Sequence, residues 1–469
     1  MINYTATYTD QYQLIMSQVY FLVGNKDTIA VFDYFFRKLP FDAGYAVFAG
    51  LENLLNTLEI LSFDKKDLDF LKEQGFNPEF INYLKKFHFT GSIYSSNEGD
   101  IVFPDRPVLQ LEANIIEAQI IETLLLNILN FQTLIATKAS RIRQAAKDRE
   151  LIDFGLRRAH GPGGYYASRA AFIGGFDATS NVRAGRDFNI PVSGTMAHSF
   201  VECYDDELTA FIHFAEENPN NCVLLVDTYD TLKSGLPNAI KVAKMMEVKG
   251  HRLHGIRLDS GDLAYLSKRS RKMLDNAGLD YVKIAASNQL DEYVIKSLLE
   301  QEAPIDVFGV GTNLVTGNPD AALDGVYKLA YANGKPRIKL SENLGKITLP
   351  HRKQVFRMVD NDGKFIGADV VTLADEQDVE IMHHPLYPLK SFSVRKYNKE
   401  PLLHKVMEKG VRVSKLPSLP EIAHYSLERL INLPDEYKRF NNPHIYKVGL
   451  SDRLKNERDR LIEVYKKHK

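Results

Sequence analysis

Between Leu151 and Val310 the chain repeats one pattern: a short apolar run, a polar rim, then an amphipathic stretch. The runs are Leu151-Ile152-Asp153-Phe154, Val192-Ser193, Cys222 to Asp227, Leu253 to Leu258, Val282 to Ala286 and Ile305 to Val310. They recur at roughly thirty residues, and amphipathic stretches such as Leu236 to Met246 and Asp262 to Ala277 follow most of them, which predicts strand–helix units and a parallel sheet. Six or so units in series favour a closed barrel over an open sheet. The residues that end the runs carry chemistry: Gly155-Leu156-Arg157-Arg158, Gly194-Thr195, Thr228-Tyr229-Asp230, Asp259-Ser260-Gly261-Asp262, Ser287-Asn288 and Gly311-Thr312. A turn needs glycine and at most an aspartate, but not arginine, paired carboxylates and hydroxyls on the same rim.

Outside this stretch the texture differs. Asp10 to Gly24 predicts a capped helix with an apolar stripe at Leu14, Ile15, Val19 and Leu22; Tyr12 sits in its first turn, where pattern alone packs it on the core. Ala30 to Phe36 predicts a strand, Gly44 to Leu58 a helix, Leu61 to Phe89 polar helices, and Ile93 to Leu111 short antiparallel strands. Asn114 to Asp148 predicts a long buried helix that opens a second domain; Glu117, Glu122, Asn127, Asn130 and Gln132 exclude a membrane span. After about Lys328 the period lapses. Lys339 to Phe356 predicts alternating strands around a basic loop, Val370 to Leu416 a small β-rich region, and Ser451 to Lys469 a charged helix with a solvated face.

Composition narrows the function classes. Among 469 residues, 59 basic side chains balance 60 acidic ones for a net charge of -1, so no global field attracts nucleic acid or an acidic membrane, and any anion site must be local. Two cysteines, Cys203 and Cys222, make neither a disulfide framework nor a zinc site, which fits a reducing compartment. There is no signal-peptide pattern at the start and no apolar run of about 18 residues. The expectation is a soluble, cytoplasmic protein with no nucleic-acid or membrane partner.

Several rim residues suggest an anionic, phosphate-bearing ligand. Ser193-Gly194-Thr195, with His198 three residues on, gathers hydroxyls, an imidazole and free amides at a strand end; the alternative is a simple helix cap. Arg257 and Asp259 point to one side of a strand, as a ligand fork or as a buried ion pair. Asp227 adds a carboxylate for ribose hydroxyls or water-bound magnesium. Phe154 could stack on a flat ring beside Arg157 or Arg158. Gly309-Val310-Gly311-Thr312 and Ser287-Asn288 offer backbone and hydroxyl donors to phosphate, or are tight turns.

These residues stand in motifs that together resemble the nicotinate phosphoribosyltransferase family: Asp10-Gln11-Tyr12-Gln13, DFGLRRAHGP from Asp153, GGFDATSNVRAG from Gly174, PVSGTMAHS from Pro191, VDTYDT from Val226, RLDSGD from Arg257, ASN from Ala286 and FGVGT from Phe308. The resemblance implies an irregular TIM-like α/β barrel flanked by an α/β open sandwich domain. The sandwich would use residues 1–113 and be completed by 336–469, with the barrel at 114–335. It also implies a homodimer with shared active sites, and the conversion of nicotinate and phosphoribosyl pyrophosphate to nicotinate mononucleotide and pyrophosphate. ATP as co-substrate would phosphorylate His198, and Mg2+ would accompany the phosphates, with no protein metal ligands assigned. Tyr12, from the partner, and Phe154 would sandwich the pyridine ring. Arg257, with Ser180 and Thr195, would recognise the carboxylate. Arg157, Asp227 and Asp259 would handle the phosphoribosyl group, and Ser287, Asn288, Gly309, Gly311 and Thr312 its 5-phosphate. Nicotinamide-using relatives are similar but carry an aspartate where Ser180 aligns, so nicotinamide is the alternative substrate and a catalytically silent nicotinate or nucleotide sensor the alternative class. The loop from His160 to Tyr166 departs from the family pattern. His351 is expected either near ATP or as solvated charge.

Overall fold

The computed structural model describes residues 4–467 apart from Pro388, Ser414 and Leu416. Leu416, the expected end of the β-rich region, and His468 and Lys469, in the expected last helix, lie outside the described residues. The chain is a mixed α/β fold in two compact units, one of Lys138–Ala321 and one of the segments that flank it, up to Thr137 and from Ala322. The division falls inside the helix Glu122–Ala146.

The continuous unit holds a six-stranded parallel sheet in the order Ala178–Thr179, Glu150–Asp153, Val307–Val310, Lys283–Ser287, Gly255–Leu258, Val223–Leu225. Five of the expected runs supply strands. The sixth, Val192-Ser193, contributes a single parallel bridge from Val192 to Thr179. Ala178–Thr179 reads as a donor-rich loop in sequence because two residues are too few to set a period. Alternation along each strand sorts the faces: Ile256 and Leu258 are buried on one side, while Gly255 and Arg257 line a cavity on the other.

Helices begin directly after the strand ends, and their caps sort the rim carboxylates. Asp262 accepts from the Tyr265 amide at 3.0 Å, and Asp230 accepts from the Leu232 and Lys233 amides at 3.2 and 2.9 Å. Both therefore serve helix starts. Asp227 and Asp259 cap no helix and bond instead to residues at the rim.

The discontinuous unit interleaves both ends of the chain. Its seven-stranded sheet orders Lys335–Pro336, Gly325–Ala332, Ile29–Phe36, Leu109–Asn114, Ser92–Ser95, His404–Glu408 and Val411–Arg412, with every pair antiparallel. A six-stranded sheet comes wholly from residues 353–450.

Several expectations change here. Gly44 to Leu58 is not one helix: Ala46–Val47 pairs with Ile101–Val102, and the helix spans Leu51–Leu58. The run Tyr45 to Ala49 is wholly buried, and a continuous apolar run reads alike for strand and helix. Along the helix Gln11–Leu22 only Leu14 of the expected stripe is buried; Ile15, Val19 and Leu22 are about half exposed, as is Tyr12 at 49 %. Lys339 to Phe356 holds little strand before Lys353. The loop is not simply solvated charge either, for Lys353 is buried against Asp33 at 2.9 Å and His351 meets Glu457 at 3.1 Å. The last helix, Asp452–Lys467, keeps a mostly solvated face but buries Leu454 and Leu461.

Candidate functional site

The cavity on one face of the parallel sheet measures about 290 Å³. It exists because the strands place small residues there, Ala178, Gly255, Ala285 and Gly309 among them. Its upper wall carries Phe154, Ser193, Thr195 and Arg257, and it reaches Glu150 and Lys283 at the opposite ends of their strands, 3.8 Å apart.

Phe154 is seated by glycines. A Cβ at Gly309 would lie 2.3 Å from the Phe154 ring, and one at Gly155 would lie 2.0 Å from Val315. Just before Phe154, buried Asp153 accepts from the Gly155 amide at 2.8 Å, Ser168 Oγ at 2.7 Å and Thr179 Oγ1 at 2.8 Å. Burial raises the Asp153 carboxyl above its usual range, and those hydrogen bonds oppose the rise without cancelling it.

Arg257 occupies the centre. Its guanidinium carbon stands 5.2 Å from the Phe154 ring centroid, within cation–π range. Nη1 donates to Thr195 Oγ1 at 3.1 Å, Nη2 to Asp259 Oδ1 at 3.0 Å and Nε to Ser287 Oγ at 2.9 Å. Ser287 Oγ donates in turn to Asp259 Oδ1. On the far side of Asp259, Oδ2 lies 3.8 Å from His198 Nε2, and His198 Nδ1 is 3.2 Å from Thr228 Oγ1. One imidazole nitrogen thus has a hydroxyl partner, the other faces a carboxylate beyond hydrogen-bond range, and the side chain stays 39 % exposed. Asp227 Oδ2 accepts from the Asp259 amide and from Ser260 Oγ, both at 2.7 Å. Its Oδ1 is buried with no hydrogen-bond partner. A buried carboxylate oxygen without a partner is an unsatisfied acceptor at the rim.

The comparisons with known proteins follow these residues across the chain. Residues 149–362 match the model of the nicotinate phosphoribosyltransferase (NAPRTase) family, 7–130 that of its N-terminal domain and 352–458 that of its C-terminal domain. The nicotinate phosphoribosyltransferase of Bacillus subtilis (strain 168) is 47% identical over 470 residues, covering 97% of this chain and 95% of that one. This chain belongs to the nicotinate phosphoribosyltransferase family. The Dictyostelium discoideum nicotinate phosphoribosyltransferase is 38% identical, covering 96% of this chain and 87% of that one. The crystal structure of human nicotinic acid phosphoribosyltransferase superposes with a TM-score of 0.87 at 31% identity, covering 97% of this chain and 99% of that chain.

Of the residues that the family resemblance singles out, the structure brings Phe154, Thr195, His198, Asp227, Arg257, Asp259 and Ser287 into one connected group. Others stand apart from it. Ser180 donates its amide to the Asp153 carbonyl and does not line the cavity. Arg157 is exposed on the turn Leu156–Arg158. Asn288 is exposed with φ +88°, and Gln289 follows at φ +48°, so the backbone bends through the left-handed region immediately after Ser287. Gly311 and Thr312 open the four-residue helix Thr312–Val315, and a Cβ at Gly311 would lie 3.1 Å from the Phe154 carbonyl oxygen. Tyr12 belongs to the other unit. Sequence reasoning assigned no role to Thr228 or Ser260, whose only signal was their place directly after two rim aspartates.

Proposed function

We propose that this protein is a nicotinate phosphoribosyltransferase, joining nicotinate to phosphoribosyl pyrophosphate to form nicotinate mononucleotide and pyrophosphate, with coupled ATP hydrolysis, in NAD salvage. The observation that carries the reading is the Arg257 guanidinium held at the cavity wall by Thr195, Ser287 and Asp259, with its central carbon 5.2 Å from the Phe154 ring centroid. A flat ring with a carboxylate on it matches that pairing of aromatic face and cation.

The chemistry asks little of the protein beyond placement and charge. The pyridine nitrogen forms a bond to C1 of the ribose while the C1–oxygen bond to pyrophosphate breaks, and the leaving pyrophosphate keeps the electron pair. The attacking nitrogen already holds a lone pair, so no base is required. Phe154 and Arg257 hold the ring so that its nitrogen faces C1, which is the positioning contribution. Asp227 and Asp259 orient the ribose hydroxyls. Arg157 joins them on the phosphoribosyl group, and Asn288, Gly309, Gly311 and Thr312 would meet its 5-phosphate, with Ser287 beside them bonded to Arg257 and Asp259.

Mg2+ would neutralise charge on the pyrophosphate. Asp227, with one carboxylate oxygen left without a hydrogen-bond partner, is the residue that would help to hold the cation. His198, within hydrogen-bond distance of Thr228 and 3.8 Å from Asp259, is the group that would take the γ-phosphate of ATP.

Further parts of the reading are architectural. The parallel sheet is the wall of an irregular TIM-like α/β barrel, supported by the inward alternation around the cavity, and the discontinuous unit is an open sandwich. The enzyme works as a homodimer: the exposed apolar face of Gln11–Leu22, with Tyr12, Ile15, Val19 and Leu22, needs a cover, and a second copy would bring Tyr12 to the ring. It acts in the cytoplasm; no helix among the described residues is long and apolar enough to cross a membrane.

Steady-state assays with nicotinate and nicotinamide side by side test the substrate: nicotinate should be strongly preferred, and a preference for the amide would overturn the reading. Incubation with γ-labelled ATP tests the histidine, with label expected on the wild type and absent from His198→Ala.

A further inference from the structure

Ser287 is buried at the end of its strand, with its hydroxyl between the two charged side chains that end the neighbouring strand. It accepts from Arg257 Nε at 2.9 Å and donates to Asp259 Oδ1. A hydroxyl has one proton, and this one is committed to the carboxylate. We infer that Ser287 is a positioning residue for nicotinate recognition, clamping Arg257 to Asp259 so that the guanidinium keeps one orientation towards the ring carboxylate. The inference rests on the functional reading above.

The donors of Arg257 show what the clamp achieves. Its Nε–Nη2 edge is given to Ser287 and Asp259, and Nη1 reaches Thr195 Oγ1 at 3.1 Å and the Met196 carbonyl at 3.5 Å. The 3.5 Å contact lies at the limit of a hydrogen bond and is the one an incoming carboxylate displaces most easily. The Nη1–Nη2 end is therefore the part of the fork left for a ligand, provided the other edge stays docked. The sheet sets this up. Arg257 pairs with Ala285, and Ser287 lies two residues beyond Ala285 on the same face. The left-handed turn at Asn288 and Gln289 then takes the chain away, leaving Ser287 as the last strand residue. Without the hydroxyl, Nε loses its partner and Asp259 loses a donor, so the guanidinium can swing while both charges stay in place.

The test compares wild type, Ser287→Ala and Ser287→Cys in the full-length protein, varying nicotinate, nicotinamide and phosphoribosyl pyrophosphate in turn. Ser287→Ala should raise the KM for nicotinate roughly tenfold or more, with the KM for phosphoribosyl pyrophosphate within about twofold of wild type, as expected for loss of a hydrogen bond to a charged group. The preference for nicotinate over nicotinamide should shrink in parallel, a readout that a merely structural loss would not move. Ser287→Cys, of similar size but a weaker hydrogen-bonding group, should fall between the two, and it carries the test alone if the alanine variant does not fold. A rise confined to phosphoribosyl pyrophosphate, equal rises for both substrates, or no change in either would each overturn the clamp. A wild type that does not turn over nicotinate would instead overturn the functional reading and this inference with it.

Discussion

Two groups of charged residues in this protein use the same side chains to opposite ends. In the discontinuous unit, buried Arg357 meets Asp369 at 3.1 Å and Asp100 at 3.0 Å; Arg106 meets Asp369 at 2.8 Å; Arg429 meets Asp100 at 2.8 Å and Glu400 at 2.9 Å; Tyr446 donates to Asp369 at 2.7 Å. These partners come from residues 100–106 and 357–446, so the network ties the N-terminal segment to the C-terminal one. At the rim of the parallel sheet, Arg257 and Asp259 are also paired, yet they stay partly exposed, Asp227 Oδ1 has no partner, and His198 stops 3.8 Å short of Asp259. A network in which every buried charge faces an opposite one holds a fold together, even with Arg106 Nε lacking a hydrogen bond. One with donors and acceptors left over is ready to bind. Burial and saturation, rather than residue type, separate the two roles.

The sharpest way to break this contrast is to remove one charge from each network. Asp369→Ala leaves two buried arginines short of a partner and should destabilise the protein by about 3 to 5 kcal/mol in denaturant unfolding. An unchanged midpoint would mean that the network does not hold the two chain segments. Arg257→Ala should leave that midpoint close to wild type but weaken nicotinate binding by about 2 to 5 kcal/mol, and weaken phosphoribosyl pyrophosphate far less. Equal losses for the two substrates would refute the carboxylate role.

Gly309→Ala probes the aromatic half of the site. The added methyl group collides with the Phe154 ring, so overpacking should cost about 1 to 3 kcal/mol, with a nicotinate KM that rises as the ring is displaced. A variant with wild-type kinetics would show that Phe154 is not held where the ring must stack.

The smallest effect is in pH dependence, where two buried aspartates should behave oppositely. Burial pushes Asp100 up, but Arg357, Arg429 and Arg106 together hold it below the usual carboxylate range. Its stabilisation is present above the unfolded value and is lost as pH falls through the folded one. Asp153 has no such cations, and burial leaves it raised. The folded state therefore keeps its proton longer than the unfolded chain does, and stability falls as pH rises from the ordinary carboxylate range through the raised value. In unfolding midpoints across that range, Asp153→Asn should remove this decline, whereas Asp100→Asn should blunt the acid loss. Parallel profiles for wild type and Asp153→Asn would show that Asp153 titrates as an ordinary carboxylate.

The local pattern of the sequence determined the parallel sheet and its polar rim, because a period of apolar runs and amphipathic stretches is written residue by residue. Phe154, Thr195, His198, Asp227, Arg257 and Asp259 were legible as rim residues for the same reason. Tertiary structure decided which of them touch. Ser287 could be read as a phosphate donor in sequence, but its neighbour across the sheet turns it towards Arg257 and Asp259. Asp230 and Asp262 look as chemical as Asp259 until the helices they cap are placed. Ile15, Val19 and Leu22 carry a core-like spacing whose outward direction only packing reveals. Lys353 looks solvated in its basic loop but lies buried against Asp33, which is 320 positions away in the chain. Periodicity records which residues share a face of an element; which face is covered, and by which distant partner, depends on contacts that no local pattern contains.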